Sequence, residues 1–370
     1  MIKSQVKFTS LFLLLLFFII SCTKDEEFAQ MDKAEAVELL TSASIQMEQT
    51  VNQMLETDGV NLMMHFISLN ESIAISKYNI KNILNPLYLN PFASKNFFSK
   101  EEDLSFDTPF GNYGTYTWNS SLSSWDFVAT PVDKIIYLFP SNQTQTENNA
   151  NITFANIEQV VDLDNFIKRF DLIIKIGQQV VLGVYYSTTL TESYIDKVTI
   201  DINLPPFTIT ANQIFKRSNG GSLVTSSFTT KNQGIAIMSS NFEIGMDGEI
   251  MISPDNYEEI ENVQVNEVIG YIRIGNVKLT LDLDLMNFSS ESDISPSELE
   301  MLANKNLKVK LYEYPSGVSL AYVKWYFNTD KSFIEPFLVY SDGSEEGAIN
   351  YIPESIQVIF NFEEDLRVGF

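Results

Sequence analysis

The segment IDKVTIDINLPPFTITANQIFK, residues 195–216, decides the fold class. Val198, Ile200, Ile202 and Leu204 alternate with Thr199, Asp201 and Asn203, the period of two expected of a strand with one apolar and one polar face. Pro205-Pro206 ends that run, and Phe207 to Lys216 begins another at once. So short a connection joins antiparallel neighbours and leaves no room for a crossover helix. The pattern extends outward, with Gln179 to Thr189 before it and Leu223 to Thr230 and Gly234 to Ile244 after it. Asn219-Gly220-Gly221 and Asn232-Gln233-Gly234 supply the turns between them. The expectation is an antiparallel meander, one face of which is wet or lines a polar groove.

Working outward, strand signatures continue on both sides. Upstream, Gly111 to Asn119 and Trp125 to Phe127 flank Ser120 to Ser124 as an aromatic hairpin, and Lys134 to Pro140 reads as a strand closed by proline. Ser141 to Asn151 reads as a loop and Asn165 to Phe170 as a helical turn. Downstream, the acidic stretch Ser253 to Glu261 is a loop or ragged helix, and Val268 to Ile274 pairs with Val277 to Leu285 around Gly275-Asn276. Ser295-Pro296-Ser297-Glu298 has the residues of a helix start, serine capping and proline first, with the helix running to about Asn304. Leu307 to Tyr314, Val318 to Phe327, Pro336 to Tyr340 and Ile356 to Phe360 complete the sheet, the first two joined at Pro315-Ser316-Gly317.

Before the strands the period is helical. Val37, Leu40, Met47, Val51 and Met54 recur at three and four, with Ser44 in the one polar slot, and Asp58-Gly59 reads as a stop with glycine in the left-handed conformation. A second apolar stretch runs from Leu62 through Phe66 and Leu69 to Leu84 and ends at Asn85-Pro86. The fold expected is α+β, an N-terminal helical hairpin followed by a large, mainly antiparallel sheet, either a plain meander or one curved into an open half-barrel. The divisions expected are 1–21 signal peptide, 22–31 charged tether, 32–103 helical segment and 104–370 β-rich domain, with the short helix near 296–304.

The first residues carry the clearest functional signal. Lys3 and Lys7 precede the apolar run Leu11 to Ile20, too short for a stable membrane span and followed by Ser21-Cys22. Ile19-Ile20-Ser21-Cys22 resembles the lipobox of bacterial lipoproteins, which implies diacylglycerol on the Cys22 thiol, cleavage before it, palmitate-type acylation of the new amino terminus and anchoring to a membrane. Each buried methylene contributes about 0.8 kcal/mol, so two or three acyl chains hold a protein at the bilayer. Cys22 is the sole cysteine, so the chain forms no internal disulfide, and acylation removes a thiol that would otherwise stand free outside the cytoplasm. Lys24, Asp25, Glu26 and Glu27 follow directly and look like the export signal that sends Bacteroidota lipoproteins to the outer face of the outer membrane; a solvated tether is the plainer reading of the same charges.

Composition sets the exclusions. The formal charge of -24 becomes -26 if Lys3 and Lys7 leave with the leader, and such a surface repels phosphate backbones, so no nucleic acid is expected as a partner. With one histidine, His65, and one cysteine there is no zinc site and no nucleophile triad that does without His65; no metal, cofactor or catalytic residue is assigned. His65 lies between Met64 and Phe66 and reads as the flank of a helix. Asp282 and Asp284, two apart in one strand, share a face and read as its solvated side, with calcium binding or glycoside cleavage as the sharper alternative. Asp342-Gly343-Ser344-Glu345-Glu346 reads as a turn. Tyr113, Tyr116, Trp118 and Trp125 cluster in one hairpin, where their faces either stack on sugar rings or pack into the core.

Gly114 to Asn119, Trp125, Lys134 to Pro140 and Glu335 to Ser344 together resemble a recurring set of uncharacterised Bacteroidota surface lipoproteins. The resemblance spans most of the chain beyond the leader and implies location, not mechanism. Three functions are then expected in order: a non-catalytic surface binding module for a partner protein or glycan, a carrier of an apolar or lipid ligand in a half-barrel, and a carboxylate-only glycoside hydrolase.

Overall fold

The computed structural model describes residues 31–69, 112–160, 166–191, 194–218, 221–247, 265–286, 295–329 and 333–351. The leader, Cys22, residues 24–27, the apolar positions 73–84, the acidic stretch 253–261 and the strand expected at 356–360 lie outside them.

Two helices come first, α1 (Lys33–Leu55) and α2 (Asp58–Leu69). The strands follow as β1 (Gly114–Asn119), β2 (Ser124–Val128), β3 (Ile135–Phe139), β4 (Ala150–Val160), β5 (Phe166–Ile176), β6 (Gln179–Thr191), β7 (Tyr194–Leu204) and β8 (Phe207–Ser218). Then come β9 (Gly221–Asn232), β10 (Ile235–Asp247), β11 (Val265–Ile274), β12 (Val277–Asp284), helix α3 (Pro296–Asn306), β13 (Leu307–Glu313), β14 (Ser319–Asn328), β15 (Phe333–Val339) and β16 (Glu345–Gly347). All sixteen strands form one sheet in the order β16-β15-β14-β13-β12-β11-β10-β9-β8-β7-β6-β5-β4-β3-β1-β2. From β3 to β16 each strand pairs with the next in sequence and runs antiparallel to it, as the short polar turns require. The sheet stays open, with β2 at one edge and β16 at the other. The α+β expectation of N-terminal helices followed by a large antiparallel meander therefore describes the molecule.

Four local expectations differ from what is observed. β3 joins β1 in parallel, Tyr116 opposite Tyr137, so the β1–β2 hairpin swings its second strand outward as the edge. The helical turn expected at Asn165 to Phe170 is not formed over its described residues, because Phe166–Ile176 is β5, whose Phe170, Leu172 and Ile174 alternate inward against α2's core. The loop from Ser141 ends earlier than expected, since Ala150 and Asn151 already pair with Ile176 and Lys175. In α1 the buried stripe is Ala36, Leu40, Ala43 and Met47, with Val37 and Ser44 only half-buried beside it. Small side chains occupy two positions of the stripe, which lets the helix lie close to the sheet.

Gly59 is the other correction. The break between the helices falls at Glu56-Thr57, where the Thr57 hydroxyl donates to the Met54 carbonyl at 2.7 Å and accepts from the Val60 amide at 3.4 Å, capping α2. Gly59 sits inside the first turn of α2 and is buried. A Cβ there would run into the Val181 carbonyl and come within 2.7 Å of Leu204 Cδ1. This glycine is needed for close approach of helix to sheet, not for a left-handed stop.

The inner face of the sheet carries two cores, which touch at Val198. Leu62, Met63 and Phe66 of α2 pack on Ile135, Phe139, Ile152, Phe170, Leu172 and Val184 from the first half of the sheet. Ala36, Leu40 and Ala43 of α1 and Ala303 of α3 pack on Ile244, Leu281, Val309, Val323 and Trp325 from the second half. Each large apolar side chain so buried contributes about 1.5–3 kcal/mol. α3 begins where expected, with Ser295 accepting from the Glu298 amide at 3.3 Å, and runs to Asn306.

Candidate functional site

The four aromatic candidates are brought together, and they belong to the edge of the core beneath α2. Cross-strand pairing sets Trp118 opposite Trp125 and Tyr116 opposite Phe127, and β3 adds Tyr137. Tyr116 stacks on Tyr137 at 4.8 Å, while Trp125 meets Trp118, Tyr137 and Phe66 edge-on at 5.3, 5.4 and 5.8 Å. Tyr113 packs on the same core. Ring faces that would stack on a sugar are thus directed at one another, with all four residues half-buried. Burial pushes the Tyr137 phenol well above its ordinary range, and the neighbouring Tyr116 adds to it. The apolar surface left outside this wall is Leu122, Phe127, Val128 and Val132 at its rim.

The carboxylate candidates point the other way. Asp282 and Asp284 are exposed on the outer face, Asp282 between Ile269 and Lys308 in register and Asp284 opposite Glu267. They lie side by side along one strand and do not face each other across a cleft. Asp342 takes the Ser344 hydroxyl at 2.6 Å and the Ser344 amide at 2.9 Å, and the Gly343 amide closes on the Tyr340 carbonyl at 2.9 Å, which is the expected turn. Those bonds from Ser344 hold the Asp342 carboxyl below its ordinary range.

His65 flanks α2 as expected, half-buried with its ring 6.4 Å from Phe139 and its Nε2 buried without a partner. Burial lowers its pKa, and a hydrogen bond with the Pro140 backbone opposes the shift. Among the described residues no group of three or more His, Cys, Asp or Glu side chains converges on a common point.

A different site lies between the two cores. Facing residues of adjacent antiparallel strands share a side of the sheet, so register traces the inner face across its middle. One row runs Ile200, Ala211, Phe228, Ser240 and Ile272; the rows beside it run Ile202, Ile209, Thr230, Met238, Ile274 and Val198, Gln213, Ser226, Phe242. Ile200, Ile202 and Ile209 belong to the core under α2, and Phe242, Ile272 and Ile274 to the core under α1. Between them Ala211, Gln213, Ser226, Phe228, Met238 and Ser240 are half-buried and belong to neither. Thr230 beside them is fully buried with its hydroxyl unpartnered. Apolar, hydroxyl and amide side chains thus floor a seam on the inner face.

Sequence reading passes over this seam, although a signal exists. The inner phase that reads Val198, Ile200, Ile202, Leu204 in β7 falls to Ala211 and Gln213 in β8, Ser226 in β9 and Ser240 in β10. Small and polar residues at core-phase positions mark a stretch that no neighbour needs to cover. The chain has no helix among its described residues long and apolar enough to cross a membrane. Comparison with protein-family models, with curated proteins and with solved structures finds no match to this chain.

Proposed function

We propose that the chain is an exported, lipid-anchored binding module, tethered through Cys22, displayed by the charges at Lys24 to Glu27, and taking a partner protein or glycan on the inner face of its open sheet. The observation that carries the reading is the half-buried, partly polar seam between two cores that touch at Val198. A single continuous core would have filled Ala211, Gln213, Ser226 and Ser240 with large apolar side chains, whereas these offer hydrogen bonds beside the apolar surface of Phe228 and Met238. Few convergent polar groups on an apolar floor are the usual make-up of a ligand surface. The side-by-side, outward placement of Asp282 and Asp284 favours binding over glycoside cleavage, which takes two carboxyls flanking the bond.

A second reading, a carrier of an apolar or lipid ligand, draws on the Ile200, Ile209, Phe228 and Met238 share of the same floor. Glycan arrays, pull-downs and native mass spectrometry on the full chain separate the two: glycan or protein capture supports the first, co-purified lipid the second. Ser240→Trp fills the seam and is expected to abolish whichever is found. Unaltered capture by that variant, or none by the wild type in all three assays, refutes the site. The anchor is tested apart from it, since Cys22→Ser is expected to release the protein from the membrane fraction.

A further inference from the structure

Among the described residues, Arg273 on β11 is a cation that no carboxylate answers. Of the arginines among the described residues, Arg217 pairs with Asp196 at 2.8 Å and Arg169 with Glu158 and Asp171 at 3.9 and 4.0 Å. Arg273 instead donates from Nη2 to the Ala236 carbonyl at 2.7 Å and lies 4.6 Å from the centroid of the Tyr314 ring. Its Nε is buried with no hydrogen-bond partner. Directly opposite in β12 stands Lys278, seated 4.6 Å over Tyr271. Like charges facing each other across antiparallel strands repel, and a buried donor without a partner adds a desolvation cost. The chain carries 48 acidic against 24 basic residues, yet among the described residues neither cation forms an ion pair. An anion supplied from outside would relieve both costs.

There is room for one. Arg273 lines a cavity of about 350 Å³ between α1 and the tips of three hairpins. Ser42, Gln46 and Asn276 bring neutral polar groups to it, and Leu39, Ala43 and Pro315 bring apolar surface. We propose that this cavity binds a small organic acid, its carboxylate on Arg273 with Lys278, opposite Arg273 in register, adding positive field, and its hydrocarbon part against Leu39, Ala43 and Pro315. Planar guanidinium and carboxylate match in geometry, and stacking on Tyr314 holds the fork in place before the ligand arrives. The site is distinct from the seam, because none of Ala211, Gln213, Ser226, Phe228, Met238 and Ser240 lines it.

The test is calorimetric titration of the full chain, in a non-ionic detergent, with hexanoate, hexanol and hexylammonium, three probes of one shape and different charge. Saturable hexanoate binding is expected, at least about ten-fold tighter than hexanol, with none for hexylammonium. Arg273→Gln should weaken hexanoate by about ten-fold or more, while Arg217→Gln leaves it unchanged. Ser42→Phe, which blocks the cavity from the α1 side and keeps Arg273, should lose hexanoate as well, so the conclusion does not rest on the folding of one variant. Equal binding of hexanoate and hexanol, wild-type affinity in folded Arg273→Gln, or no saturable hexanoate binding at millimolar concentration overturns the proposal.

Discussion

Asn304 offers the sharpest test of how this sheet is held together. β13 and β14 pair only from Lys310–Tyr322 to Tyr312–Ser319, so β14 beyond Val323 has no ladder partner on that side. The carboxamide of Asn304 in α3 takes over: its Oδ1 accepts the Trp325 amide at 2.9 Å, and its Nδ2 donates to the Trp325 carbonyl at 2.8 Å. One turn earlier Glu300 accepts the Phe327 amide at 3.0 Å. Asn304→Ala strips two backbone groups of their partners in a part-buried site, at about 1–3 kcal/mol for each that water does not reach. Alanine returns roughly 0.6 kcal/mol of helix propensity, which leaves a net loss of about 2 kcal/mol. Hydrogen exchange is the direct assay, because a local loss of that size speeds exchange of the Trp325 amide about 30-fold. A lowered urea midpoint followed by Trp325 fluorescence should accompany it. An exchange rate within about three-fold of wild type, with an unmoved midpoint, would mean the carboxamide is dispensable and the reasoning wrong.

Two further outcomes follow from the structure. Gly59→Ala should destabilise by about 1–3 kcal/mol despite its gain in helix propensity, because the added methyl meets the Val181 backbone and not a side chain that can turn away; a thermal melt followed by Trp118 and Trp125 fluorescence reads it, and a raised melting temperature contradicts the close-approach argument. Burial holds the folded pKa of His65 below the ordinary imidazole value of about 6.5, so its contribution to stability is complete above that pH and is lost as the pH falls below it, the unfolded chain there binding more protons. Because it is the only histidine, one imidazole resonance in an NMR titration decides the point; a midpoint at or above 6.5 would remove the burial argument.

Periodicity and turn chemistry determined much of this protein without help. The alternation of Val198 to Leu204, Pro205-Pro206 after it, and the turns at Gln233-Gly234 and Gly275-Asn276 are local properties, and a meander pairs neighbours in sequence, so local signals were sufficient to order β6 to β14. Both central turn residues at Gln233 and Gly234 have positive φ, 49° and 83°, the twist that a tight hairpin needs. The capping serine at Ser295 was equally legible, since its hydroxyl acts within one turn.

What tertiary structure decided is everything that depends on which surface meets which. Gly59 reads as a stop until the Val181 carbonyl is seen against it, and Asn165 to Phe170 reads as a helical turn until Phe170 is seen to face the α2 core. The parallel approach of β3 to β1 joins segments separated by a hairpin, and no spacing within either one announces it. The same holds for the sites. The hairpin aromatics were visible as residues, but whether their ring faces meet a ligand or one another depends on Phe66 and Tyr137, which arrive from two other elements. Arg273 reads as an ordinary strand residue, and it lines a cavity only because α1 and the tips of three hairpins meet beside it. Sequence spacing determines the face of an element on which a side chain stands; contacts between elements distant in sequence determine whether that face is filled.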